Sequence, residues 1–581
     1  MMFNKNPTIK TSPEQDDCVI GWKSINDQLA ATVNNIENEN PRVVVECYQG
    51  CDLAEIKYEL NSYFDDATII DSSDFMKSEN EIRIMTQPYV TDHRVFGVIT
   101  QLRMHDFFET TQVENLKKNR SNNNLTIYFG IGASLLVENP DILIYADMAR
   151  WEIQLRMRRN FVDNIGISDR EESIEKQYKR SYFVDWRVCD ELKKDLLPKF
   201  DYVLDTNTLG EPKLATGNAI RSALAKATSQ PFSVVPYFDA GPWGGQWMKE
   251  KFDLDKKTSN FAWSFNCVPE ENSLLIEFSN AIFEIPSINV VFYKPLELLG
   301  PAVYNEFGPE FPIRFDFLDT MDGGNLSLQV HPLKEYIKEQ FGMAYTQDES
   351  YYIIDAGEDA FVYLGVNDNI NPNEMIDELK RSQSEGHIFD ADKYATKWHA
   401  KKHDHFLIPA GTLHCSGKDC MVLEISATPY IFTFKLWDWG RLGMDGRPRP
   451  ISIEHGEQVI QWDRTPEWTQ SNLINQFEEI SLGDGFVEEK TGLHDLEFIE
   501  TRRQWFDCKV SHNTLNTLNV LMIVDGEQAV IESPSSAFEP FIINFCEAII
   551  VPAKVGPYTV TPTGKSIGKK IALIKAFVRT K

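Results

Sequence analysis

The 581-residue chain has no stretch approaching the roughly 20 consecutive apolar residues that a membrane-spanning helix needs. Its opening, MMFNKNPTIKTSPEQDD, is polar and lacks the apolar core of a secretory signal. Cysteine is scarce and unpatterned: nine residues, at 18, 47, 51, 189, 267, 415, 420, 508 and 546, with no CxxC spacing. This argues against a disulfide framework and predicts reduced thiols in a cytoplasmic protein. Basic charge is also short. With 58 Lys and Arg against 87 Asp and Glu, the formal charge is −29, which argues against a nucleic-acid partner. An anionic small molecule would need a local cluster of cations against that background.

What remains is the composition of a folded chain, 42% hydrophobic and 12% aromatic. The length predicts roughly two to four domains. Residues 1–40 carry polar runs and read as an N-terminal extension. At PRVVVECYQGCDLAEIKYEL (41–60) a β-branched run, a Gly and an amphipathic pattern give strand, turn and helix. Further strands at 125–130 and 142–147, with helical patterns at 149–160 and 190–200, predict an α/β domain with a parallel sheet over 41–215. After a linker at 216–235 the texture becomes short apolar runs separated by Gly, Pro and Asn, which predicts β structure. One Glu- and Lys-rich helical insertion is expected at 373–384. FLIPAGTLH (406–414) and AIIVPAKVGPY (548–558) echo one another and suggest two related barrels, at 236–455 and 456–581.

The N-terminal α/β domain lacks the tools of a phosphate loop. ECYQGCDLAEI offers Gly50 alone, with neither Gly-Lys nor a following Ser or Thr. ILIYADMARWEIQLRMRR nonetheless resembles the strand and arginine-rich lid helix of uridine-kinase-like P-loop nucleoside kinases, and SYFVDWRVCDELK is similar to that family too. The resemblance implies a degenerate, pseudokinase-like domain. Arg150, Arg156, Arg158 and Arg159 are either its anion-binding residues or a solvated basic helix face.

In NLSLQVHPLKEY, strand alternation projects Gln329 and His331 to one side. Glu349 opens the next β run, ESYYIIDA, and His414 follows a Pro-Ala-Gly corner in FLIPAGTLHCSG. Two imidazoles, a carboxylate and an open position suit zinc, and also iron or manganese. His399, His403 and His405, in the charged segment HAKKHDH, read as solvated.

LSLQVHP, EYIKEQFG, DESYYIIDAG, IPAGTLHCSG, VLEIS and TFKLWDWGRLGMDGRPRPISIEH resemble, in the same order, the successive motifs of class I mannose-6-phosphate isomerases. YFDAGPWGGQWMKEKF is similar to that family's opening. The resemblance covers about residues 230–581. It implies a mainly-β double-cupin (jelly-roll barrel) region, with one Zn2+ per chain held in the first barrel by Gln329, His331, Glu349 and His414 and a structural second barrel. It also implies isomerisation of a hexose 6-phosphate, most naturally mannose 6-phosphate to fructose 6-phosphate, through an enediol. Lys435 and Arg441 are the candidates for the reacting oxygens or the phosphate, and Arg447 and Arg449 further substrate-binding candidates. Two positions depart from the family pattern: Gln347 stands where many members have a Lys implicated in proton transfer, and Lys435 where an Arg is common. Gln347 is inert as acid or base, which keeps open a non-catalytic sugar-phosphate sensor. Two His and one carboxylate would also suit a cupin oxygenase.

Overall fold

The computed structural model describes residues 3–11, 18–118, 125–427, 431–442, 446, 449–492 and 494–580. The chain divides into two compact units. One comprises Thr8–Ala227 with Pro269–Lys294; the other comprises Met1–Pro7, Thr228–Val268 and Pro295–Lys581.

The first unit is built on five parallel strands: β1 (Arg42–Cys47), β2 (Thr68–Asp71), β3 (Thr126–Gly130), β4 (Ile142–Asp147) and β5 (Tyr202–Asp205). They lie in the order β5-β4-β1-β3-β2. Strands Lys213–Thr216 and Cys18–Ile20 extend the sheet antiparallel beyond β5. The central strand, RVVVEC, is buried except at its first residue, as expected for a parallel strand covered on both faces. Residues that read as an N-terminal extension are therefore structured: Cys18–Ile20 pairs into this sheet and Trp22–Asn34 is helical. Thr8–Lys10 pairs in parallel with Ser273–Glu277 of the same unit.

The second unit contains two barrels. The first has β6 (Tyr237–Asp239), β7 (Trp263–Cys267), β8 (Ile313–Asp319), β9 (Leu328–Val330), β10 (Glu349–Ala356), β11 (Phe361–Val366), β12 (Ala395–His399), β13 (His405–Ile408), β14 (His414–Ser416), β15 (Cys420–Ala427) and β16 (Phe434–Trp437). Its sheets run β13-β10-β15-β8-β7-β6 and β12-β11-β14-β9-β16. The second barrel has β17 (Glu478–Gly483), β18 (Phe486–Gly492), β19 (Ile499–Phe506), β20 (Val510–Asn513), β21 (Asn519–Asp525), β22 (Gln528–Glu532), β23 (Phe541–Asn544), β24 (Ile549–Val551), β25 (Pro557–Pro562) and β26 (Ile571–Val578). Its sheets run β24-β21-β26-β19-β18-β17 and β23-β22-β25-β20. Strand for strand, β6 to β15 and β17 to β26 occupy the same positions in the same chain order. The motif echo reflects this: FLIPAGTLH and AIIVPAKVGPY both run from the edge strand of one sheet (β13, β24) into the opposite sheet (β14, β25).

The insertion between β11 and β12 is helix α1, Pro372–Glu385. Asn371 caps it by accepting from the Asn373 and Glu374 amides, Pro372 starts it, and Gly386 ends it at φ 70°. Met375, Ile376 and Leu379 form its buried stripe. The barrels approach closely at Gly492, where a Cβ would lie 2.5 Å from Leu407 Cδ2. Across the same seam Arg503 donates to the His403 carbonyl at 3.0 Å.

Candidate metal centre

Three short strands set the site. In β9, Gln329 stands opposite His414 of β14 on one side and Lys435 of β16 on the other. Directly opposed residues face the same way, so Lys435, Gln329 and His414 form one row. His331 follows β9, and its carbonyl accepts from the Gly411 amide at 2.9 Å, which fastens the Pro-Ala-Gly corner that delivers His414. Glu349 is the first residue of β10, paired with Ser426 of β15 and Ile408 of β13.

The side chains meet. One ligand atom from each of His331, Glu349 and His414 lies within 4.8 Å of the other two, and all three residues are buried. His331 Nε2 is 3.1 Å from Glu349 Oε2, and His414 Nε2 is 2.9 Å from Glu349 Oε1. The Gln329 amide approaches His414 Nε2 at 3.2 Å. His414 Nδ1 lies 2.8 Å from the Thr412 carbonyl. A proton held there leaves the Nε2 lone pair directed at the centre, the arrangement a metal-binding imidazole needs. Burial alone would raise the Glu349 carboxyl, but the two imidazoles outweigh it and hold it well below the usual carboxylate range. A buried carboxylate between two imidazoles and an amide is a donor set that fits one divalent cation.

The surroundings include one residue that sequence reasoning passed over, Glu424, beside the Gln347 it had singled out. The amide of Gln347 donates to Glu349 Oε2 at 2.9 Å and lies 3.4 Å from Glu424 Oε1. Burial, then the charges of Glu349 and Asp316, push the Glu424 carboxyl well above its ordinary value. Glu424 stands opposite both Asp316 and Tyr351 in the sheet. The signal was a single acid inside the wholly buried, otherwise uncharged run CMVLEISA, where an ionisable group needs a reason to be present.

Cations gather beside the centre. Asp438 pairs with Arg441 at 2.5 Å and with Arg449 at 2.7 Å. Half-burial, then the charges of Arg449 and Arg441, push the Lys435 ammonium down to about 8. Arg447 lies outside the described residues.

Other readings need correction. His405 belongs to β13, is fully buried and meets Ser350 Oγ at 2.8 Å, while His403 meets the Tyr352 hydroxyl at 2.9 Å. The two are packed between the barrels rather than solvated. Arg156, read as an anion ligand or a solvated residue, is fully buried; it pairs with Glu152 at 3.0 Å and donates to the Gly50 and Thr206 carbonyls. Arg150 pairs with Asp190 and lies over the Trp186 ring. The Gly50 turn leads into a helix, Leu53–Tyr63, whose N-cap is the Asp52 side chain, accepting from the Glu55 amide. A negative charge thus occupies the helix end that would attract a phosphate.

Residues 21–229 match a family model described as a domain of unknown function (DUF8485). A mannose-6-phosphate isomerase of Streptococcus mutans is 28% identical over 232 residues, 39% of this chain and 67% of that protein. The mannose-6-phosphate isomerase ManA of Bacillus subtilis is 24% identical over 241 residues, 41% of this chain and 71% of that protein. The chain is homologous to mannose-6-phosphate isomerases over about 40% of its length. The match spans about two thirds of those relatives. A crystal structure of the Bacillus subtilis mannose 6-phosphate isomerase aligns with a TM-score of 0.48 and 16% identity, over 60% of this chain and 99% of that one. No helix among the described residues is long and apolar enough to cross a membrane.

Proposed function

We propose that the first barrel is a zinc-dependent aldose–ketose isomerase of a hexose 6-phosphate, converting mannose 6-phosphate and fructose 6-phosphate into one another. The observation that carries this is the buried convergence of His331, Glu349 and His414, with Gln329 as fourth donor. Homology to proteins named mannose-6-phosphate isomerase supports it.

The reaction moves one proton between C1 and C2 and one between the oxygens on those carbons. A divalent cation in this site would supply electrophilic polarisation of the sugar's carbonyl and hydroxyl oxygens. The chain's own groups supply the rest. Lys435 and Arg441, with Arg449 and Arg447, bind the phosphate and hold the substrate's reactive end toward the barrel. Glu424, whose carboxyl is pushed well above its ordinary value by burial and by Glu349, is the group that gives and recovers a proton. Gln347 orients the Glu349 and Glu424 carboxyls and carries no proton itself.

Gln347 also favours a second reading, a sugar-phosphate sensor without turnover. Incubating zinc-loaded protein with mannose 6-phosphate and following fructose 6-phosphate separates the two. Turnover proportional to zinc content is expected. Saturable binding of mannose 6-phosphate without product would establish the sensor instead.

A further inference from the structure

The two oxygens of Glu349 lie in unequal surroundings. Oε2 accepts from the Gln347 amide at 2.9 Å and lies 3.1 Å from His331 Nε2. Oε1 lies 2.9 Å from His414 Nε2, the nitrogen whose lone pair faces the centre and which therefore brings it no proton. No hydrogen-bond donor reaches Oε1 among the described residues. Carboxylates that ligate a metal are as a rule held in turn by hydrogen bonds from the residues behind them.

Strand β10 carries a donor on the same face. Residues two apart on a strand project to one side, so Tyr351 points the same way as Glu349, and it stands opposite Glu424 of β15. Its ring meets the His414 ring edge to face, with centroids 5.9 Å apart. Tyr351 is fully buried, yet its hydroxyl has no hydrogen-bond partner among the described residues. Buried tyrosine hydroxyls usually find one. Burial, then the charge of Glu349 and after it that of Glu424, push the phenol well above its ordinary value. Glu349 is thus the foremost charged neighbour of this hydroxyl.

The next residue supplies a contrast. Tyr352 projects to the opposite face and is equally buried. Its hydroxyl is paired, 2.9 Å from His403 Nδ1 and 3.4 Å from an Arg503 guanidinium nitrogen. One tyrosine spends its hydroxyl on the seam between the barrels. The other keeps a donor unspent beside an acceptor that lacks one.

We infer that Tyr351 is a positioning residue for the metal: with a cation bound, its hydroxyl donates to Glu349 Oε1 as the Gln347 amide does to Oε2, and the two together fix the carboxylate plane. The inference rests on the metal centre of the reading above but not on its turnover. The test compares Tyr351→Phe with Tyr352→Phe in the full chain, by zinc affinity against a competing chelator and by Tm after zinc is stripped. Tyr351→Phe should weaken zinc by about tenfold, the loss expected for an outer partner of a ligand. Its metal-free Tm should be unchanged or raised, because the substitution removes a polar group that the fold leaves unpaired. Tyr352→Phe should show the reverse, a lower metal-free Tm with zinc affinity intact. Unchanged zinc affinity in Tyr351→Phe would overturn the proposal, even in a chain whose wild type isomerises a hexose 6-phosphate. So would a fall in its metal-free Tm matching that of Tyr352→Phe, by showing that the hydroxyl serves the fold. Weakened zinc in Tyr351→Phe, in a chain whose wild type binds zinc without turnover, would defeat the isomerase reading and uphold this one.

Discussion

The two barrels share ten strands in the same order and sheet positions, yet among the described residues only the first brings a group of candidate metal-binding side chains together. Glu349 is the first residue of β10; the equivalent strand, β21, begins with Asn519. His414 begins β14; the equivalent β25 carries Tyr558 at its second position. Near β9 the first barrel has His331, and the equivalent β20 carries His512. In the second barrel these residues satisfy one another: Tyr558 donates to Asn519 Oδ1 at 2.9 Å, and His512 stacks on the Tyr558 ring at 5.1 Å. In the first, two imidazole nitrogens and a carboxylate converge without an intervening side chain, a donor set that fits a cation. A jelly-roll barrel therefore carries no chemistry by itself. Two substitutions, carboxylate for amide and imidazole for phenol, separate a metal-competent interior from a self-contained one.

The most severe way to break the contrast is to make the first barrel resemble the second. His331→Ala or His414→Ala should remove the metal and lower turnover by at least about 10³-fold, the loss expected when an electrophile contributing several kcal/mol is removed. Elemental analysis should fall from one zinc per chain to none, with far-UV circular dichroism unchanged. His512→Ala should leave zinc content intact. A mutant of the first pair that kept stoichiometric zinc would break the ligand assignment.

The second prediction concerns the cations beside the first barrel's candidate centre. Lys435, with Arg449, Arg441 and Asp438 as its charged neighbours, is pushed down to about 8. Its positive charge is therefore present below that pH and lost as pH rises through it. The KM for a hexose 6-phosphate should rise about tenfold between pH 7 and 9.5, the worth of one charge-assisted hydrogen bond, with a smaller change in kcat. Lys435→Arg should abolish that limb, because a guanidinium stays charged throughout. A limb that persists in Lys435→Arg would assign it to another group.

Next in size is Gln347→Lys. The new ammonium would stand where the amide now reaches Glu349 at 2.9 Å and Glu424 at 3.4 Å. It would supply a transferable proton, and kcat should rise about threefold, well short of the full worth of a general acid or base because Glu424 already serves. An unchanged kcat would leave the proton transfer to Glu424 alone, and Glu424→Gln would then abolish activity.

How far the sequence foretold these features depended on the range of the interactions. Local signals were legible: the strand and turn around Gly50, the helix at 372–385 with its Asn-Pro start and Gly stop, and the alternation that sets Gln329 beside His331. Long-range pairing was not. Nothing in Ser273–Glu277 announces a partner in Thr8–Lys10, so the passage of residues 269–294 into the other unit left no trace in local patterning. Polar residues misled where tertiary structure covered them. HAKKHDH looks solvated, yet β13 carries His405 inward, where burial depresses it to about 3 and keeps it neutral. The arginine-rich helix looks like an exposed basic face, yet Arg156 is enclosed by carbonyls that only the fold brings together.

The smallest predicted effect tests whether the second barrel is mechanically separate from the chemistry. Tyr558 and Asn519 are both almost fully buried, and burial pushes the Tyr558 phenol far above its ordinary value, so it remains a neutral donor at any working pH. Tyr558→Phe deletes that donor and strands the Asn519 carbonyl without opening a cavity. The cost should be about 1–2 kcal/mol, read as a lower urea midpoint with an unchanged slope. Zinc content and kcat should stay at wild-type values, because none of the four proposed metal donors lies in this barrel. A loss of zinc or turnover in Tyr558→Phe would show that the seam at Gly492 and Arg503 transmits strain from one barrel to the other. The contrast between the barrels would then describe two parts of one site, not an active domain and its scaffold.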